Sequence, residues 1–260
     1  HCFVPDVLRA GVRVLVTERD VEEALAASGL SEDEMGRVTI LKTAEARRSL
    51  ALLSAARFGY PASKMITIGV TGTKGKTTTT HMIKAILEAA GKKVGMTGTT
   101  GTVINGQVTP TMNTTPESYE LHQSFAKMAE AGCQYMIMEV SSQGIKMHRV
   151  DGISFDYGIF TNISPDHIGP DEHADFAEYL YCKSRLLNMC RIGLVNLNDG
   201  HFKEIVKDAS CRLYTYRVKE DRETKADFEA ANIRYVSRPD FVGTEFDVEG
   251  KLDMDVHLGI

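Results

Sequence analysis

Gly69-Val70-Thr71-Gly72-Thr73-Lys74-Gly75-Lys76-Thr77-Thr78 is the stretch on which the fold turns. The apolar run before the turn, residues 66–71, reads as a buried strand. The segment after it carries Ile83, Ile86, Leu87 and Ala90 at helical spacing and closes at Gly91. A glycine-rich turn between strand and helix lets backbone N–H groups curl around phosphate oxygens, and the helix N-terminus adds partial positive charge. Gly72, Thr73, Lys74, Gly75, Lys76, Thr77 and Thr78 are therefore the candidate nucleotide-binding residues. Lys76 can reach the β and γ phosphates of a nucleotide, and the Thr77 hydroxyl can ligate Mg²⁺. The strict pattern has Gly where Val70 stands, so the match is to the variant Gly-Thr-x-Gly-Lys-Thr; a purely structural glycine turn is the plainer alternative.

Working outward, strand and helix signals alternate. Residues 12–17 and 38–41 read as short strands. Asp20 with Glu23 suggests a capping box for a helix ending before Gly29. Thr43 is expected to cap a helix over 43–58 with Ala46, Leu50 and Leu53 on one face. The turn formers of 59–64 mark a candidate domain boundary. Beyond the glycine turn, 94–97 is a strand, and Asn105-Gly106 supplies a type I′ hairpin turn. Pro116 starts a helix carrying Leu121, Phe125, Met128 and Ala129. Residues 134–140, 156–163 and 192–197 are strands, and past about 210 the pattern turns to short strands such as 212–216 and 246–248. Helices between buried strands predict an α/β fold, a mostly parallel sheet covered on both faces.

Composition agrees with a folded enzyme. The 260 residues are 43% apolar and 25% charged, with a net charge of −5, which argues against disorder and against a nucleic-acid partner bound by net charge. No apolar run approaches the ~20 residues of a membrane helix, so no membrane insertion is expected, and no signal peptide is read. Five cysteines without a Cys-x-x-Cys pair suggest reduced thiols in a cytoplasmic protein.

Ligands of an open parallel sheet bind beyond the carboxyl ends of its strands. Glu139 closes the apolar run from Tyr135, and His167 comes after the strand ending at Ile163. Both should lie at the phosphate edge, where they can hold a second Mg²⁺; alone, Glu139 can equally cap a turn and His167 can be a loop histidine. In a helix over 174–190, Phe176, Leu180, Lys183 and Leu187 share one face. A lysine inside an apolar stripe either snorkels to water or is desolvated. A desolvated neutral amine can react with CO₂ to give a carbamate, an anionic metal ligand.

Together these residues resemble the Mur ligases, the ATP-dependent amide-forming ligases of peptidoglycan synthesis. The resemblance runs in order through Gly69 to Thr78, Asn113-Thr114-Thr115-Pro116, Met138-Glu139-Val140-Ser141-Ser142, His148-Arg149-Val150, Phe160-Thr161-Asn162, Asp166-His167 and Cys182-Lys183-Ser184-Arg185-Leu186. It covers most of 60–200 and looks most like the MurE-type branch, which adds diaminopimelate or lysine to UDP-N-acetylmuramoyl-L-alanyl-D-glutamate. The resemblance implies that Lys76 and Thr77 hold ATP and its Mg²⁺. It implies that Glu139, His167 and a carbamylated Lys183 hold the second Mg²⁺, with Lys76, Lys183, Glu139 and His167 as the catalytic set and Thr77 among the metal ligands. Asn113, Thr114, Thr115, Ser141 and Arg149 would bind the UDP-muramoyl peptide, whose D-glutamate carboxylate ATP would phosphorylate before an amino acid attacks the acyl phosphate. By itself, Arg149 is either a carboxylate clamp or a solvated loop charge.

This sequence departs from the usual pattern at Lys74, Gln143 and Met147 and in the loop 168–173. Two other outcomes stay open: an amide ligase of the same superfamily acting on a different acid, and a non-catalytic ATP-binding fragment or paralogue. The chain opens at His1-Cys2-Phe3-Val4. By resemblance, 1–62 is a partial uridine-nucleotide-binding domain and 63–260 the central ATP-binding domain. The acceptor-binding third domain is expected to be absent, leaving a chain that binds nucleotide and does not complete ligation alone.

Overall fold

A computed structural model describes residues 3–166, 168–170, 172–219 and 225–259. The N-terminal part consists of α1 (Val4–Arg9), β1 (Val14–Thr17), α2 (Glu22–Ala26), α3 (Glu32–Met35), β2 (Thr39–Lys42) and α4 (Ala46–Arg57). β1 and β2 pair in parallel, Val14 opposite Thr39, as a separate two-stranded sheet. Two local expectations fail here. Asp20 does not cap α2, whose N-cap Val21 has no side-chain bond; Asp20 pairs with Lys42 instead. The capping box belongs to α3, where Ser31 and Glu34 bond reciprocally.

Helix α4 also turns a different face inward. Its N-cap is Glu45, without a side-chain bond, and Thr43 contacts Ser49. Leu50 and Leu53 are 46% and 55% exposed, and the buried side is Ala51, Ser54 and Ala55. Small residues win because the neighbouring backbone comes close: a Cβ on Gly152 would lie 3.3 Å from the Ala55 Cβ.

A short 3₁₀ turn (Pro61–Lys64) leads into β3 (Ile66–Thr71), α5 (Lys76–Ala89), β4 (Val94–Gly98), β5 (Gly101–Ile104), β6 (Gln107–Thr109), α6 (Ser118–Glu130) and β7 (Tyr135–Glu139). Then come α7 (Ser142–Lys146), β8 (Phe155–Phe160), α8 (Phe176–Ser184), a 3₁₀ turn (Arg185–Asn188), β9 (Cys190–Asn196), α9 (Phe202–Val206), β10 (Arg212–Val218), β11 (Phe228–Arg238), β12 (Phe241–Gly250) and β13 (Met254–Gly259). The sheet order is β13-β12-β11-β10-β9-β8-β3-β7-β4-β5-β6. From β11 to β4 every pairing is parallel; the pairings outside that block are antiparallel. The expected mostly parallel sheet is present. The region past 210 is not made of short strands, since β11 and β12 form a long hairpin whose largely half-exposed residues carry no clear alternation.

Strand β7 shows how the layers form. Ile137 packs with Ile68, Val70 and Met96 under Ile83 and Leu87 of α5. Met136 and Met138 point the other way, against Leu121, Phe125 and Met128 of α6. Helix α8 packs Tyr179 into a third cluster with Phe160, Leu187 and Val195. Helices thus cover both faces, and the carboxyl ends of β3, β4, β7, β8 and β9 share one edge. No helix among the described residues is long and apolar enough to cross a membrane.

Candidate functional site

The glycine turn is stitched to the segment after β8. Thr73 N–H donates to Asn162 O (2.8 Å) and Lys74 N–H to Asn162 Oδ1 (3.0 Å). Asn162 Nδ2 donates back to Lys74 O (3.0 Å), and the Thr161 hydroxyl lies 2.8 Å from the same carbonyl. At Gly72, φ is +141° and a Cβ would fall 2.0 Å from Thr161 Oγ1, so the backbone approaches as closely as glycine permits. Gly75 opens α5 without a side-chain cap, which leaves the first-turn N–H groups available to an anion. Lys74 and Thr78 are exposed beside them, and the Lys74 ammonium pairs with Asp166 at 3.2 Å.

Two lysines converge on one carbonyl. Lys76 Nζ donates to Gly72 O (2.9 Å) and Thr73 O (3.1 Å), and Lys183 Nζ donates to Gly72 O (2.9 Å). Lys183 is 2% exposed and lies 4.7 Å above the Tyr179 ring, so it does not snorkel. Burial, reinforced by the neighbouring Lys76 charge, pushes its pKa down to about 7. Burial also lowers the pKa of Lys76, while Glu139 opposes the shift.

Glu139 ends β7 opposite Val70 of β3. Its two oxygens each lie 3.0 Å from Thr77 Oγ1. Thr99 adds its N–H (2.9 Å) and its hydroxyl (3.2 Å), and a Cβ on Gly98 would lie 2.3 Å from Glu139 Oε1. Gly98 and Thr99 belong to the site and escape the sequence reading; their place at the carboxyl end of β4, on the same sheet edge, is the signal that could have found them. Glu139 is 1% exposed and has no ion-pair partner within 4 Å among the described residues. A buried carboxylate facing hydroxyls and an amide suits a hard cation held by oxygen. His167 lies outside the described residues, among which no three His, Cys, Asp or Glu side chains are arranged to hold a metal ion.

A second group adjoins this one. Thr114 Oγ1 lies 3.1 Å from Thr99 Oγ1. Thr115, fully buried, donates from its hydroxyl to Glu139 O (2.9 Å) and accepts from Ser141 N–H (3.0 Å). Ser141 caps α7 through Gly144 N–H (2.9 Å). Arg149 donates to Thr115 O (3.2 Å) and pairs with Glu117 (2.7 Å), so it is held rather than solvated. Asn113 is exposed on the same stretch. The structure therefore brings Lys76, Thr77, Glu139 and Lys183 together and sets Thr114, Thr115, Ser141 and Arg149 beside them.

The family described as the Mur ligase middle domain matches residues 70–258. The UDP-N-acetylmuramoyl-L-alanyl-D-glutamate--2,6-diaminopimelate ligase of Clostridium perfringens is 39% identical over 261 residues, 99% of this chain and 50% of that protein. The ligase of the same name from Clostridium tetani is 36% identical, with the same shares covered. A solved structure of a UDP-N-acetylmuramoyl-L-alanyl-D-glutamate--2,6-diaminopimelate ligase has the same fold, at TM-score 0.79 and 22% identity over 98% of this chain and 49% of that one. The chain spans about half the length of these relatives.

Proposed function

The chain belongs to the Mur ligase family, and on that premise we propose that it serves an ATP-dependent, ADP-forming ligase of peptidoglycan precursor synthesis. The acid substrate is UDP-N-acetylmuramoyl-L-alanyl-D-glutamate, the partner is an amino acid such as diaminopimelate or lysine, and the compartment is the cytoplasm. The carrying observation is the buried Glu139 carboxylate, paired with Thr77 at the mouth of a phosphate loop on which Lys76 and Lys183 converge.

In this reading the first-turn amides of α5 and the Lys76 ammonium hold the β and γ phosphates of ATP. Lys76 leaves the Gly72 and Thr73 carbonyls to do so. Thr77 would hold the Mg²⁺ of ATP, and Glu139, His167 and a carbamate on Lys183 would hold a second; such ions would supply positive charge where the D-glutamate carboxylate and the γ-phosphate are brought together. Lys183 suits the carbamate role because a pKa of about 7 leaves much of its amine unprotonated at neutral pH. Arg149, with Asn113, Thr114, Thr115 and Ser141, orients the muramoyl peptide; the Thr99–Thr114 bond and the bond from Thr115 to the Glu139 main-chain carbonyl tie that orientation to Glu139. Residues 1–62 form one domain and 63–260 another.

The test is ADP release by the full-length enzyme on adding the UDP-muramoyl dipeptide and each of a panel of amino acids, alongside calorimetric binding of MgATP. Release with diaminopimelate or lysine is expected. ATP binding without release for any amino acid would sink the ligase reading and leave a nucleotide-binding module.

A further inference from the structure

The third core cluster carries a phenol that the chemistry above does not use. Tyr179 is fully buried among Phe160, Ile163, Leu187 and Val195, and a buried phenol requires a partner for its proton. Its oxygen lies 3.1 Å from Thr73 Oγ1, inside the phosphate loop. Thr73 Oγ1 accepts from Ser164 N–H (3.0 Å) and lies 3.2 Å from Ser164 O. A threonine hydroxyl has one proton and two lone pairs. The Thr73–Tyr179 bond can run in either direction, and either way it joins the buried phenol to a hydroxyl that already accepts from the Ser164 amide.

Thr73 stands at the junction of the loop. Its N–H is held by Asn162 O and its carbonyl accepts from Lys76. The adjacent Gly72 carbonyl accepts from both Lys76 and Lys183. The Tyr179 ring lies 4.7 Å below Lys183 Nζ, with His173 edge-on at 5.3 Å. One buried side chain thus reaches the start of the phosphate loop through its hydroxyl and Lys183 through its ring.

We propose that Tyr179 is a positioning residue for nucleotide binding, its hydroxyl fixing the Thr73 rotamer and with it the 72–73 backbone from which Lys76 reaches the phosphates. This rests on the nucleotide-binding reading. Tyr179→Phe isolates the hydroxyl, because it keeps the ring, its packing and its contact with Lys183. MgATP binding by the 260-residue chain, measured by calorimetry, is expected to weaken about three- to tenfold, the loss of one hydrogen bond, with an unchanged circular dichroism spectrum. Thr73→Val weakens binding by itself, and adding Tyr179→Phe to it weakens binding no further, since the phenol has already lost its Thr73 partner. In Thr73→Ser, which keeps the hydroxyl and holds should Thr73→Val fail to fold, Tyr179→Phe retains its full effect. Equal ATP affinity in wild type and Tyr179→Phe overturns the proposal and leaves the nucleotide reading intact. The same fold-loss in Thr73→Val as in wild type shows that Tyr179 acts by packing alone and also overturns it. No MgATP binding by the wild-type chain overturns the nucleotide reading, and this proposal with it.

Discussion

At Lys183 two requirements oppose one another: a buried ammonium destabilises the fold, while an amine that sheds its proton near neutrality is reactive. Folded, the side chain loses its proton at about 7, against 10.5 for an ordinary lysine. Between those values the unfolded chain binds more protons, so this group's contribution to stability is lowest below pH 7 and rises with pH towards 10.5. Lys183→Met removes the penalty. Its melting temperature at pH 6 is expected to exceed the parent's by about 4–8 °C, the effect of about 2 kcal/mol in a domain of this size. The excess should shrink as pH rises, and in the full-length enzyme ADP release should be lost. A difference in melting temperature that stays constant from pH 6 to 9 would contradict the buried-ammonium account. Lys76, Thr77 and Glu139 are legible in the sequence because spacing and strand ends locate them. Lys183 is legible only as a question, because a lysine in an apolar stripe can snorkel or be desolvated, and the 3₁₀ turn after Ser184 and the fit of α8 against the glycine turn decide it.

Among the elements, α4 and the phosphate loop make opposite demands on residue size. The hydrophobic stripe through Leu50 and Leu53 is the conspicuous sequence feature of α4, yet Ala51 and Ala55 form its contact face. Leu53→Lys is expected to change unfolding free energy by no more than about 0.5 kcal/mol. Ala55→Leu, whose Cβ already faces Gly152, should destabilise by about 1–3 kcal/mol through overpacking; urea titration distinguishes the two. In the loop, Gly72→Ala would set a Cβ 2.0 Å from Thr161 Oγ1. Calorimetry on that variant should find MgATP binding weakened at least tenfold, because the turn must move away from β8 and take Lys76 with it. Periodicity identified α4 as a helix, but its inward face depends on how near Gly152 comes, which is a property of another part of the chain.

For the whole molecule, the parallel block from β4 to β11 gathers strand ends onto one edge, and the N-terminal part meets the rest through α4. Two of the bridging ion pairs, Arg47–Glu117 at 3.4 Å and Arg48–Asp151 at 3.6 Å, involve largely exposed arginines and add little by themselves. Nucleotide that binds only the folded chain stabilises it by mass action, about 2.7 kcal/mol at a hundred times Kd. MgATP at that level should therefore raise the melting temperature by about 5–11 °C, and Lys76→Met should abolish most of the rise; a thermal scan showing no rise for the parent chain would exclude nucleotide binding at the loop. A parallel α/β core and a glycine-rich turn between β3 and α5 are readable from contiguous residues, because strand and helix periodicity and glycine backbone freedom are local properties. Packing between distant segments is what desolvates Lys183, sets Thr99 against Glu139, brings Tyr179 to Thr73 and buries the alanines of α4. Those outcomes depend on close approach between segments tens of residues apart, where burial and donor–acceptor geometry, not spacing, set the energy.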